Sequence, residues 1–115
     1  VCVATIDKHT SVQDHIDQYD PISKHIKVLI FVDTNGNDLD NPYMLVWRVV
    51  NNIDAQRDVR LGPVIVVDGT NKNALDGYER EWPGDTVCTP SVLDDLRRRG
   101  LIDIDDDFIK RWGLI

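Results

Sequence analysis

Three stretches rich in β-branched and other apolar residues, VCVATI (1–6), HIKVLIFVD (25–33) and PVIVVD (63–68), constrain this chain more than any other feature. The second and third are almost unbroken apolar runs. A strand with one face in water alternates apolar and polar residues, so continuous runs point to strands covered on both faces. Helical patterns separate them. TSVQDHIDQY (10–19) opens with Ser11 as cap and Asp14 three residues on, places Val12, Ile16 and Tyr19 on one face, and is ended by Pro21. NPYMLVWRVVNNID (41–54) has Asn41 as cap and Pro42 at the first helical position, with Tyr43, Val46, Trp47, Val50 and Ile53 as a wide stripe expected to be buried. DAQRDVR (54–60) reads as a polar turn. Strand and helix alternating in this way predict an α/β fold: three layers, with a mainly parallel sheet in β-α-β-α-β order, followed by two C-terminal helices. Those helices are TPSVLDDLRRRG (89–100), with Thr89 as cap and Gly100 as stop, and DIDDDFIKRWGLI (103–115), opened by Asp105, Asp106 and Asp107 and ended by Gly113.

A chain of 115 residues suits one domain, here an α/β core over 1–88 with a helical tail over 89–115. It opens on VCVATID, without Met and already strand-like, which suggests a piece of something longer. Thirteen Lys and Arg against twenty Asp and Glu give a net charge of −7, which repels phosphate backbones and anionic membranes. The one basic patch, Arg97, Arg98 and Arg99, ends a predicted helix and complements its dipole, so no nucleic-acid partner is expected. Cys2 and Cys88 lie far apart, with neither a signal peptide nor metal-type spacing, which reads as free thiols in a reducing cytoplasm. No apolar run approaches the ~18 residues of a membrane span.

FVDTNGNDLDN (31–41) has the alternating oxygens of a calcium loop at Asp33, Asn35 and Asn37, but the required Gly and Glu positions hold Asp38 and Met44, and a strand precedes it. The plainer reading is a strand ended by Asp33, an Asn-Gly turn and a cap for the next helix. Asp33 and Asp68 each close a β-run, and ligands of open parallel sheets bind outside the carboxyl ends of strands. Immediately after, DGTNKN (68–73) offers Lys72 for a phosphate or carboxylate, with Thr70 and Asn71 to orient it. The long polar loop 69–86 exceeds an ordinary connection and is either functional or laid against another surface. His9, His15 and His25 are scattered, so no metal site is expected, and no Ser or Cys sits in a nucleophile elbow, so no catalytic residue is assigned. In the tail, Phe108, Ile109, Trp112, Leu114 and Ile115 form a dense apolar set that either folds back or meets a neighbour, each large side chain being worth roughly 1.5–3 kcal/mol when buried.

The stretch KVLIFVDTNGNDLDNPYMLVWRVVNNIDAQRDV resembles the C-terminal region of UbiD-type decarboxylases, in which a strand ending in Asp, a Trp-bearing helix and a D-x-x-R-D turn follow in that order. The turn is Asp54, Arg57 and Asp58 here. VVDGTNK is similar to that family's IDATxK segment, and REWPGDT to its following Trp-Pro pair, Trp82 and Pro83; the likeness runs from about Lys24 to Trp82. The resemblance implies a parent enzyme that decarboxylates aromatic or α,β-unsaturated acids with prenylated FMN, a divalent metal and potassium. Its catalytic set belongs to the preceding domains, which would be this chain's partners within a homo-oligomer. No cofactor is then expected on this chain. Asp33, Asp68, Thr70 and Lys72 become the candidate cofactor-facing rim, and Phe108 to Ile115 the interface. Where the family carries G-S-K, this chain has Gly62, Pro63 and Val64, which sets it apart from the usual flavin contact; the loop between the Arg57-Asp58 turn and the VVDGTNK segment is also shorter than in the family, which suggests a divergent branch, such as one of quinone biosynthesis. A rival of another class is a free-standing regulatory module taking a small cation or metabolite at Asp33 and Asp68.

Overall fold

The computed structural model describes residues 1–18 and 24–113. These form two compact units, Val1–Trp82 and Pro83–Ile115. The first holds a four-stranded sheet of β1 (Cys2–Ile6), β2 (Val28–Asp33), β3 (Val59–Arg60) and β4 (Ile65–Asp68), with α1 (Val12–Gln18), α2 (Pro42–Asn52) and a single-turn α3 (Ala55–Asp58) between them. The second holds α4 (Pro90–Arg98) and α5 (Asp106–Arg111). No helix among the described residues is long and apolar enough to cross a membrane.

The chain is α/β with two C-terminal helices, but its sheet is mixed where a mainly parallel one was expected. The strand order is β1-β2-β4-β3. β1 runs parallel to β2 and β2 to β4, while β3 is antiparallel to β4, with Val59 opposite Val67 and Arg60 opposite Val66. The β-α-β-α-β order fails at DAQRDVR, expected to be a plain turn. Asp54 caps α3 by accepting the N–H groups of Gln56 (2.9 Å) and Arg57 (3.2 Å), and the chain leaves that turn extended along β4. Two residues of strand inside a polar segment carry no periodicity to read.

Side chains alternate across the sheet. On one face Cys2, Ala4, Ile6, Leu29, Phe31 and Val66 gather under Val12 and Ile16 of α1. α1 begins where Ser11 predicted, with the Ser11 hydroxyl donating to Asp14 at 2.9 Å; the expected roles of Tyr19 and Pro21 lie outside the described residues. On the other face Val3 and Ile30 line an apolar groove with Leu45, Val46, Val49 and Val50 of α2. α2 starts as expected, Asn41 accepting the Met44 N–H at 3.3 Å and Pro42 holding the first position. Its buried residues, however, are Leu45 and Asn52. Of the stripe expected inside, Tyr43, Val46, Trp47 and Val50 are exposed and Ile53 is half-buried.

Gly69 sets how closely α2 approaches the sheet. A Cβ there would lie 2.8 Å from Val49 Cγ2 and 3.0 Å from the Phe31 carbonyl oxygen, which already accepts the Gly69 N–H at 2.8 Å.

In the second unit α4 closes with Gly100 in the left-handed region (φ 66°), the Gly100 N–H reaching Arg97 O (2.9 Å) and the Leu101 N–H reaching Leu96 O (3.0 Å). Asp105 caps α5 by accepting the Phe108 N–H at 2.7 Å. Leu93 and Ile109 are buried, and Arg97 ties the helices together through Ile104 O (2.9 Å) and Asp106 (3.1 Å). Arg98 and Arg99 both pair with Asp95, so each member of the basic triplet has a carboxylate partner nearby. Of the expected interface set, Ile109 is spent inside the unit, Phe108 is exposed and Trp112 half-buried beside it, their rings 6.3 Å apart, while Leu114 and Ile115 lie outside the described residues.

Replacing Gly69 by Ala forces a carbonyl and a packed Val apart, so we expect Gly69→Ala to destabilise the chain by about 1–3 kcal/mol, read from the urea midpoint.

Candidate functional site

Adjacent parallel strands bring Asp33 and Asp68 to the same edge of the sheet, with Phe31 opposite Asp68 in register. The loop after β4 then folds back over that edge. Asp68 accepts both the backbone N–H (3.0 Å) and the hydroxyl of Thr70. Asp33 accepts the Asn71 N–H at 2.7 Å, and Asn52 of α2 donates to Gly69 O (3.0 Å) and Asn71 Oδ1 (2.9 Å). Asn73 begins a short 3-10 turn (Ala74–Asp76) through a reciprocal capping box with Asp76. Each hydrogen bond removes a polar backbone group from the cost of burying this loop.

Two ammonium groups sit within it. Lys72 Nζ donates to Asp68 O at 2.9 Å and Thr70 O at 2.7 Å, and lies 3.3 Å from the Asp68 carboxylate and 3.7 Å from that of Asp58; its side chain is fully buried. Lys8, just beyond β1, donates to Thr70 Oγ1 (2.7 Å), Asn71 O (3.1 Å) and Asp76 (2.6 Å), with Asp68 at 3.8 Å, and only 4% of its side chain is exposed. Asp58, equally buried, takes a two-pronged contact from Arg57 at 2.8 and 2.7 Å and the Asp54 N–H at 2.7 Å. Every carboxylate at the strand ends therefore has an internal partner.

Charge states follow from this geometry. Burial pushes the Lys72 ammonium below its ordinary pKa, opposed by Asp68 and Asp58. Burial also acts to raise Asp58, but the Arg57 hydrogen bonds and the Asp54 N–H outweigh it and hold the carboxyl below its usual range. Asp33, with a single backbone donor, is raised by burial despite Asn71 and Lys8.

Of the four residues expected on an open rim, Asp33 and Asp68 are half-buried at the strand ends, whereas Thr70 and Lys72 are buried. Their polar atoms face inward to the loop. Lys8, Asn52 and Asp76 complete the network and were not singled out from sequence. Lys8 had one available signal, its place two residues beyond a strand that ends at the same sheet edge; Asn52 and Asp76 had none beyond composition. Asp58, Asp68 and Asp76 of the network, together with Ser11, Arg57 and Arg60, line a cavity of about 220 Å³. Among the described residues no group of three or more His, Cys, Asp or Glu stands ready to hold a metal ion.

No family model matches the chain. It is 40% identical over 104 residues to uncharacterized proteins of Helicobacter pylori strains 26695 and J99. The match covers 89% of this chain and 17% of those relatives' length.

Removing the Lys72 charge leaves two carbonyls without their donor and two carboxylates short of a partner. We expect Lys72→Met to cost about 3–5 kcal/mol in chemical denaturation at neutral pH. Because the folded chain binds the Asp58 proton less readily than the unfolded chain, the stability Asp58 contributes is complete above the ordinary carboxylate range and is lost as pH falls through it. Asp33 has the opposite sign, its raised value favouring the folded state as pH falls. Unfolding midpoints measured from about pH 7 down to about pH 3 are expected to drop more gently in Asp58→Asn than in the parent chain.

Proposed function

We propose that residues 1–115 form the C-terminal region of a cytoplasmic UbiD-like decarboxylase acting on an aromatic or α,β-unsaturated carboxylic acid in a branch of quinone biosynthesis, where they close over the active site and help to assemble a homo-oligomer. One observation carries this reading. The two segments on which the family resemblance rests, the Asp54-Arg57-Asp58 turn and the Asp68-Thr70-Lys72 segment, are separate in sequence yet interlock through the contacts of Lys72 with Asp58 and Asp68. A shared pattern in two neighbouring segments is intelligible if both serve one structural joint. The match to 17% of the length of much longer relatives supports a part within a larger polypeptide.

The residues at the strand ends do not fit a flavin or metal of their own. Lys8 and Lys72 stand against the carboxylates where a cation would be drawn, and Thr70 is spent on Asp68 and Lys8. No step of decarboxylation is therefore assigned to residues 1–115, and the same occupancy weighs against the alternative of a small-cation module at Asp33 and Asp68.

The test uses the longest natural polypeptide carrying this sequence, reconstituted with prenylated FMN, Mn²⁺ and K⁺ and offered a panel of aromatic and α,β-unsaturated acids. CO₂ release by that polypeptide and none by residues 1–115 alone is the expected result. Turnover by the isolated chain, or none by the long polypeptide across the panel, overturns it. Calorimetric titration of the isolated chain with millimolar Mg²⁺ or Ca²⁺ is expected to show no binding heat, and a saturable isotherm would favour the module.

A further inference from the structure

α2 is apolar on two sides, toward the sheet and away from it, with Arg48, Asn51 and Asn52 making up the remaining sector. Leu45 faces inward and Val49 meets the backbone near Gly69, while Tyr43, Val46, Trp47 and Val50 are 47%, 63%, 38% and 64% exposed on the outside. Arg48 is the helix's one charged residue. A surface helix ordinarily turns one apolar stripe to the core and polar residues to water, so a second apolar side exposed opposite the first is surface suited to burial. The exposed residues are also contiguous with a cavity. Val46 and Val50 form one wall of a groove of about 340 Å³, and Val3 and Ile30 of the sheet form part of the other. β1, which contributes Val3, is an edge strand paired only with β2 among the described residues. A continuous apolar surface of this kind, beside a strand edge, is the signature of a docking face.

We infer that this α2–β1 face is the seat of an apolar segment from the same polypeptide outside residues 1–115. Two observations select that occupant. The match to the Helicobacter pylori relatives takes up only 17% of their length, so the homologous region there is covalently joined to far more chain than it contains. Attachment supplies a high effective concentration that a separate partner lacks. The face itself carries no charge except Arg48, which disfavours a nucleic acid or lipid headgroup and suits an apolar helix or strand. The inference depends on the relatives' length and this surface, and is independent of the decarboxylase reading. It also places the contact with the rest of the polypeptide on the exposed side of α2 and the groove beside β1, away from the internally paired groups at the Asp33 and Asp68 edge.

Val50 is a suitable probe because its side chain is mostly exposed, so a bulky replacement there leaves the core intact. With benzoylphenylalanine at position 50 of the longest natural polypeptide carrying this sequence, irradiation is expected to give an intramolecular cross-link to a peptide outside residues 1–115. Val46→Asp in the same polypeptide is expected to abolish that cross-link. In residues 1–115 alone Val46→Asp is expected to leave the unfolding midpoint unchanged, since Val46 is exposed there. A cross-link to a second copy, a cross-link to another protein, or none at all overturns the inference, as does a cross-link indifferent to Val46→Asp. None of these readouts requires enzymatic activity.

Discussion

The Lys72 ammonium is the group around which the first unit is arranged. A charge out of water is unfavourable by several kcal/mol unless acceptors converge on it. Here the acceptors come from both sides of the polypeptide's path: the Asp68 and Thr70 carbonyls from the end of β4, and the Asp58 carboxylate from the end of α3. Asp58 is the last residue of α3 and Val59 the first of β3. Anchoring Asp58 under β4 therefore anchors a two-residue strand that has little hydrogen bonding of its own with which to stay in place. The ion pair thus helps to hold the antiparallel edge of the sheet, where Val59 and Arg60 pair with Val67 and Val66.

The second lysine closes the opposite side. Lys8 leaves β1 and reaches the Thr70–Asp76 loop, so the exits of β1 and β4 are fastened to one another across the carboxyl end of β2. In an open parallel sheet this edge is where a ligand ordinarily enters. Filling it with the chain's own ammonium groups converts a binding crevice into a joint, which is why the network reads as mechanical. The polar groups at the strand ends are thus paired within the chain, while an exposed apolar surface lies on α2.

Much of this architecture was legible. The apolar runs located β1, β2 and β4, and the caps at Asn41 and Asp105 with the stop at Gly100 located three helix ends, because such signals act within a few residues. The face of α2 was misread for a definite reason. Tyr43, Val46, Trp47 and Val50 form as regular a stripe as Leu45 and Val49, so periodicity identified a helix without saying which side meets the sheet. The sequence offers Lys72 to a phosphate or carboxylate because it follows a strand beside Asp, Thr and Asn; its burial depends in part on Asp58, which lies on a different element.

From its sequence alone the chain was determined to be α/β, with buried central strands, capped helices and two aspartates at strand ends, since each of these follows from local pattern and the chemistry of single side chains. Tertiary structure decided the direction of the edge strand, the inward turn of Thr70 and Lys72, the recruitment of Lys8 and the outward face of α2. All four depend on contacts between different elements, and the energy of a buried charge or an apolar face belongs to the partner it meets, which no local pattern contains.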